Sequence, residues 1–458
     1  MKRFTLQLAV TCGLSLLALT ACGGGGNPSN PQPANNGNNG NNGNNGNNGN
    51  NSNNSNNGGS NNGGTVDPFI ECSGNGDCAA NAVCMDGVCN IEPGGTTEIT
   101  IGFERGSAVL PIGEPPEIGC YSDPVVLDDQ VEYVQMSGEI EKFGPGGSTQ
   151  GLCVSVYNSD KMLAYFQEVC ADVDPNESEA LEECFGADPC RCEKADDPDA
   201  CNLKIGYCPV IGDAGMKAEC EAKFAYTGAN GNRDTGREAT LIYGHHVSIA
   251  PPDDPSNTDV GWYKIEGVPS KTKLVLKVSG KTIRWIDTFE FGIVLNDVKD
   301  EGGKKVNTWG GNVISVGAWN SIPSTALVPT GIQDGHGAIA GRLNDCGKEG
   351  RTIEIEGQSY NASKPAPIEN ATINVSHDGT RLTYFNGNPD DSLPQPERIS
   401  TNKLAVYAAI NVPAGPNIVS NIGRLNGELH SLGARRIYLP PHSVAIATFE
   451  GALLPTPY

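Results

Sequence analysis

The chain of 458 residues is 37% hydrophobic and only 6% aromatic, and its 31 basic against 54 acidic side chains leave a formal charge of −23 at pH 7. A surface this acidic repels nucleic acid and anionic lipid headgroups, so binders of phosphate backbones are excluded. The length would hold about three domains, but a leader and a long polar tract remove the first 65 residues from any core.

At the amino end, Lys2 and Arg3 precede an apolar run over residues 6–19 that is short for a membrane span and suits a cleaved secretory signal. Leu19-Thr20-Ala21-Cys22 closes that run in the manner of a bacterial lipobox, so cleavage after residue 21 and lipidation of Cys22 are expected. Each buried methylene contributes about 0.8 kcal/mol, and two or more acyl chains hold a protein at a membrane stably. Gly23 stands where an Asp would commonly retain such a protein at an inner membrane. The expected place is therefore the outer membrane, lipid-anchored and surface-exposed. Loss of Lys2 and Arg3 with the leader leaves 29 basic against 54 acidic residues, a balance of −25. Residues 22–65 are almost wholly Gly, Asn, Ser and Pro. With no apolar side chain to bury, they are expected to form a disordered tether spanning roughly 35–40 Å, and about 150 Å fully extended.

Of the 16 cysteines, Cys12 lies in the leader and Cys22 is the lipidation site, leaving 14. An even number in an exported chain predicts disulfides among Cys72, Cys78, Cys84, Cys89, Cys120, Cys153, Cys170, Cys184, Cys190, Cys192, Cys201, Cys208, Cys220 and Cys346. Zinc favours C-x2-C pairs, and Cys190-Arg191-Cys192 has one spacer only. The first four cysteines, over 66–92, resemble part of an EGF-like module. So short a stretch needs two bridges, and three pairings remain open.

Beyond Pro93, short alternating runs read as strands over 97–103, 130–136, 152–157, 271–278, 371–376, 404–410 and 443–449. The expected class is all-β. Two stretches also match in order. Ser137-Gly138-Glu139-Ile140 corresponds to Ala340-Gly341-Arg342-Leu343, and Val154-Ser155-Val156 to Ile373-Asn374-Val375. Tyr263 with Val268-Pro269 corresponds to Tyr407 with Val412-Pro413, and Gly280 to Gly423.

This succession resembles the carboxypeptidase regulatory-like domain, most clearly at Asn411-Val412-Pro413-Ala414-Gly415, where the first copy has Pro269-Ser270-Lys271 instead. The resemblance implies two seven-stranded Ig-like, prealbumin-like β-sandwiches over 93–330 and 335–458, with structural or binding roles and no catalytic set. The first copy carries a cysteine-rich, partly helical insertion at about 158–235. An excursion from one end of a sandwich is a common place for a binding surface. Residues 93–130 fit neither sandwich.

Candidate chemistry is sparse. Asp172, Asp174, Asn176, Ser178 and Glu183 have the spacing of a calcium loop, but Glu177 stands where that loop needs Gly. Asp174, Pro175 and Glu177 read better as the capped start of a helix reaching Cys184. Glu193, Asp196, Asp197 and Asp199 read as a turn rather than a calcium site. His245 and His246 point to opposite faces of a strand and cannot share a metal. Trp262, Trp285, Trp309 and Trp319 would form a sugar platform if exposed together, and core residues if not. No Gly-x-Ser-x-Gly elbow or phosphate loop is present. The expectation is a non-enzymatic adhesion or structural module, with carbohydrate or peptidoglycan binding as the alternative and a secreted hydrolase third. No cofactor is expected beyond a weak calcium candidate. Expected partners are the membrane through the lipid, and a glycan or an envelope protein.

Overall fold

The computed structural model describes residues 72–450 except 79–81, 86–87, 93–96, 106–107, 113–114, 123–130, 145, 171–172, 174–187, 228–231, 281–283, 297, 348–350, 356–357, 363–364, 377–379 and 388–392. The leader, Cys22, the tether, the calcium candidates Asp172, Asp174, Asn176 and Glu183, the helix expected from Pro175 and Cys184 lie outside the described residues.

The body is mostly β, and each of the seven expected runs overlaps an observed strand. Seven strands form the first sandwich: β1 (Tyr133–Phe143), β2 (Cys153–Asn158), β3 (Gly261–Pro269), β4 (Leu274–Ser279), β5 (Thr288–Ile293), β6 (Lys304–Thr308) and β7 (Gly311–Ser315). Seven equivalents form the second: β8 (His336–Asn344), β9 (Thr372–Val375), β10 (Val406–Pro413), β11 (Gly415–Leu425), β12 (Glu428–Leu439), β13 (Val444–Ile446) and β14 (Phe449–Glu450). The pairings repeat as well. β1 lies antiparallel to β3 and parallel to β6 and β7, while β8 lies antiparallel to β10 and parallel to β13 and β14. β4 joins β2 to β5 as β11 joins β9 to β12, all antiparallel.

One side-chain device explains why the matched residues recur. Gly138 pairs with Tyr263, and the Tyr263 hydroxyl donates to the Trp309 carbonyl at 2.7 Å. A Cβ on Gly138 would lie 1.9 Å from that same oxygen. In the second copy Gly341 pairs with Tyr407, whose hydroxyl donates to the Ala447 carbonyl at 2.6 Å. There a Cβ on Gly341 would lie 2.3 Å from the Ala447 oxygen. Each carbonyl marks the step from β6 to β7 or from β13 to β14, where the chain crosses over the glycine. Both tyrosines are fully buried, so these hydrogen bonds satisfy groups that water cannot reach.

The two sandwiches are fused. β13 pairs parallel with β8 on one side and with β5 on the other, Thr288 opposite Val444 and Phe289 opposite Ala445. A ten-stranded sheet therefore runs through both halves. Its first-sandwich strands are covered on both faces. Val154, Val156, Leu276 and Val278 face the core of their own sandwich, whereas Tyr157 and Val275 face a larger core shared with the insertion and the second sandwich. That is why β2 and β4 are buried along nearly their whole length rather than at alternate residues.

The first sandwich does not begin at residue 93 as expected. Strand Thr100–Arg105 pairs with Ile368–Glu369, Ile99 N–H donates to the Arg424 carbonyl at 2.8 Å, and Ile99 and Ile101 are buried in the shared core. Cys120 is bonded to Cys346, across 226 positions. Residues 99–122 thus belong to the second sandwich. So does the small cysteine module, whose hairpin of Ala82–Met85 and Val88–Ile91 is held by Cys72–Cys84 and Cys78–Cys89. Buried Asn90 accepts from Asn374 Nδ2 at 3.1 Å and Ser420 Oγ at 2.6 Å, and Asn374 Oδ1 accepts from Ile91 N–H at 3.0 Å. Asn374 and Ser420 are paired across β9 and β11, so these bonds seat the module on one face of that sheet.

Candidate functional site

The insertion was the expected binding surface, and its local structure follows from caps and staples. Asn158 Oδ1 accepts from Lys161 N–H at 3.0 Å and starts helix α1 (Ser159–Cys170) directly after β2. Asp188, Asp197 and Asp213 accept from Cys190, Ala200 and Met216 N–H and cap α2 (Pro189–Cys192), α3 (Pro198–Ile205) and α4 (Ala214–Phe224). Asp199 accepts from Gly212 and Asp213 N–H, and these two donors hold its carboxyl below the usual range. Asp197 thus begins a helix and Asp199 closes a loop. Glu193 reaches away to His245 Nε2 at 2.8 Å.

Disulfides Cys153–Cys190, Cys192–Cys201 and Cys208–Cys220 pin these helices to β2 and to one another, and Cys170 is disulfide-bonded as well. One face of its first helix is not displayed outward. Met162, Phe166 and Cys170, four apart on one face of α1, are buried in the shared core. Phe166 packs on Tyr438 of β12 with ring centroids 5.7 Å apart, and Leu163 meets the cluster of Val88 and Ile418. The insertion is thus wedged between the sandwiches and touches the cysteine module. Sequence reading placed it at the end of a sandwich, because nothing in its own residues shows what its apolar face meets.

Three buried polar groupings were not foreseen. Lys161 Nζ lies 2.5 Å from Asp234 Oδ2 and donates to the Glu238 carbonyl, tying α1 to the segment that returns to the sandwich. Burial pulls its amine below the usual lysine range, and the Asp234 carboxylate pulls the other way. Lys277 of β4, buried beside Phe289, lies 3.7 Å from Asp287. Glu290 of β5 accepts from Trp309 Nε1 and from Asn312 Nδ2, both at 3.1 Å. Each is a charge embedded in β-rich surroundings, and its only advance sign is a Lys or Glu at an apolar strand or helix position.

The remaining candidates disperse. His245 packs edge-on against Tyr207, and His246 edge-on against Trp262. Burial, followed by His245 and Lys264, lowers the His246 pKa. Trp285 and Trp319 are buried, Trp319 beside His442, while Trp309 is half-buried and held by Glu290. Trp262 is half-buried opposite Glu139. The four do not form one exposed platform. Two groupings among the described residues have metal-like spacing, Cys72 with Cys78 and Cys89, and Cys153 with Asp188 and Cys190. Their sulfurs are committed to disulfides.

No protein-family model matches the chain, and no curated protein sequence matches it. Crystal structures of the shaft pilin SpaA from Lactobacillus rhamnosus GG align at 6% identity. A single-substitution variant covers 69% of this chain and 96% of the pilin with a TM-score of 0.16. The unsubstituted pilin covers 70% and 97% with a TM-score of 0.15. At such scores the fold rests on this chain's own strand pairing.

Proposed function

We propose that this protein is a bacterial lipoprotein, anchored through Cys22 and displayed at the cell surface, that acts as a structural or adhesive module without catalysis. The observation that carries this reading is the sheet shared by both sandwiches through β13. Fused in this way, wedged by the insertion and closed by Cys120–Cys346, the body is one stiff piece, as a spacer or a mechanical support requires. Its disulfides also favour an oxidising compartment outside the cytosol. The tether of residues 22–65 then serves to hold that piece away from the membrane.

Two measurements test the reading. Mass spectrometry of the mature chain should find acyl groups on Cys22, and protease added to intact cells should degrade residues 66–458. Unacylated Cys22, or a body protected until the envelope is broken, would overturn it.

A further inference from the structure

We infer that the Cys120–Cys346 disulfide takes the first sandwich and the insertion out of the path of any pull applied between the tether and the carboxyl end. The bond closes a ring of chain 226 positions long. All of β1–β7 and α1–α4 lie inside that ring, whereas the cysteine module, strand Thr100–Arg105 and β9–β14 lie outside it. Tension entering at residue 72 therefore reaches Cys120, crosses to Cys346 through the sulfurs and continues into the second sandwich. The ring carries no covalent load. Among the described strands, only β8, immediately ahead of Cys346, belongs to the second sandwich and yet lies within the ring.

The sheltered half has its own means of staying folded when the other half yields. Val134, Met136, Ile140, Val154, Tyr263 and Ile265 form a core distinct from the shared one. Cys153–Cys190 staples its insertion to β2, and Cys192–Cys201 and Cys208–Cys220 staple that insertion internally. Its sheet link to the loaded half is the short pairing of β5 with β13, three residue pairs long. Loss of those pairs exposes one strand edge and leaves β2, β4 and β5 paired with one another. The second sandwich thus acts as the yielding member and the first as cargo held in a closed loop. The biological use of this arrangement rests on the anchored reading above, but the arrangement itself does not.

Force-clamp stretching of the full mature chain, with handles at both ends, tests the inference without reference to lipid. Without reductant, no extension from residues 121–345 should appear even after the second sandwich has unfolded. Reductant added at that point should release about 15 nm at once, from the ring's ends and β8, and at least about 40 nm more in separate, delayed steps as the first sandwich unfolds and its exposed staples are reduced in turn. Arrival of the whole length in one step with reduction would mean that the first sandwich had already unfolded inside the ring. Release of ring length without reductant would mean that the bond does not carry the load. Either result overturns the inference. A Cys120→Ser/Cys346→Ser variant should show the 40 nm steps with no reductant, and its intact stapled insertion provides a check that it has folded.

Discussion

The two sandwiches share a strand order and a glycine–tyrosine–carbonyl device, yet they are reinforced from opposite directions. The first is stiffened by an insertion within its own sequence, stapled to β2 by Cys153–Cys190 across 37 positions. The second is belted by residues 72–122, which come from before the first sandwich and are locked by Cys120–Cys346 across 226 positions. A repeated core can therefore be supported in two ways. A local insertion needs only short loop closures, while a distant segment depends on a closure that chain entropy strongly opposes.

Removing the bridges separates the two strategies most sharply. Chain-entropy reasoning assigns about 5 kcal/mol to the longer closure and about 4 kcal/mol to the shorter. In denaturant unfolding, Cys120→Ser/Cys346→Ser should therefore destabilise the second sandwich more than Cys153→Ser/Cys190→Ser destabilises the first. The reverse order would show that the insertion, rather than the amino-terminal belt, is the stronger reinforcement.

The shared device should behave alike in both halves. Gly138→Ala and Gly341→Ala each drive a Cβ into a backbone oxygen that cannot swing aside, 1.9 Å and 2.3 Å away. Each should cost about 3 kcal/mol. Thermal unfolding that finds either variant as stable as the parent would mean that the crossing strands are not held as close as the two tyrosine bonds imply.

Alkaline titration probes the same device from the tyrosine side. Burial raises Tyr263 and Tyr407 well above their ordinary value of 10.0. The unfolded chain releases these protons near pH 10 and the folded chain holds them. Their contribution is thus intact below pH 10 and declines as pH rises further, by about 1.4 kcal/mol per pH unit for each tyrosine. Absorbance at 295 nm should show both tyrosinates only as the fold is lost. Tyr263→Phe and Tyr407→Phe should each flatten that alkaline decline, at the expense of about 1 kcal/mol for the stranded carbonyl at neutral pH.

The smallest effect distinguishes the turns that follow β3 and β10. Gly415, after Pro413, has φ +117, and Lys271, the equivalent residue after Pro269, has φ 51. Lys271→Gly trades roughly 1 kcal/mol of left-handed strain for a similar gain in unfolded-chain entropy, so stability should change by less than about 0.5 kcal/mol. Gly415→Lys has open space for its Cβ but an unfavourable backbone, and should cost about 1–2 kcal/mol. Equal effects at the two positions would mean that the difference in φ does not distinguish the two turns.

Much of this was legible in advance. Period-two runs located the strands, because a pleated strand with one buried face must alternate. The ordered landmarks at Gly138, Tyr263, Gly341 and Tyr407 marked two copies of one unit, because close backbone crossings tolerate only glycine. Lys271 in place of glycine weakened the match, although the turn it forms also has positive φ. Asp197 reads in sequence as part of a turn, and the structure uses it, like Asp188, as a helix cap.

What the chain could not disclose by itself is which surfaces meet. Alternation and cysteine parity are local properties, recorded in neighbouring residues, and they were sufficient for the strands and for the oxidation of the cysteines. The joining of two sheets through β13, the return of residues 99–122 to the second sandwich and the wedging of α1 between the halves are contacts between segments up to hundreds of positions apart. They are decided by which apolar faces and unpaired strand edges remain once each unit has formed, and only the packed structure settles that competition.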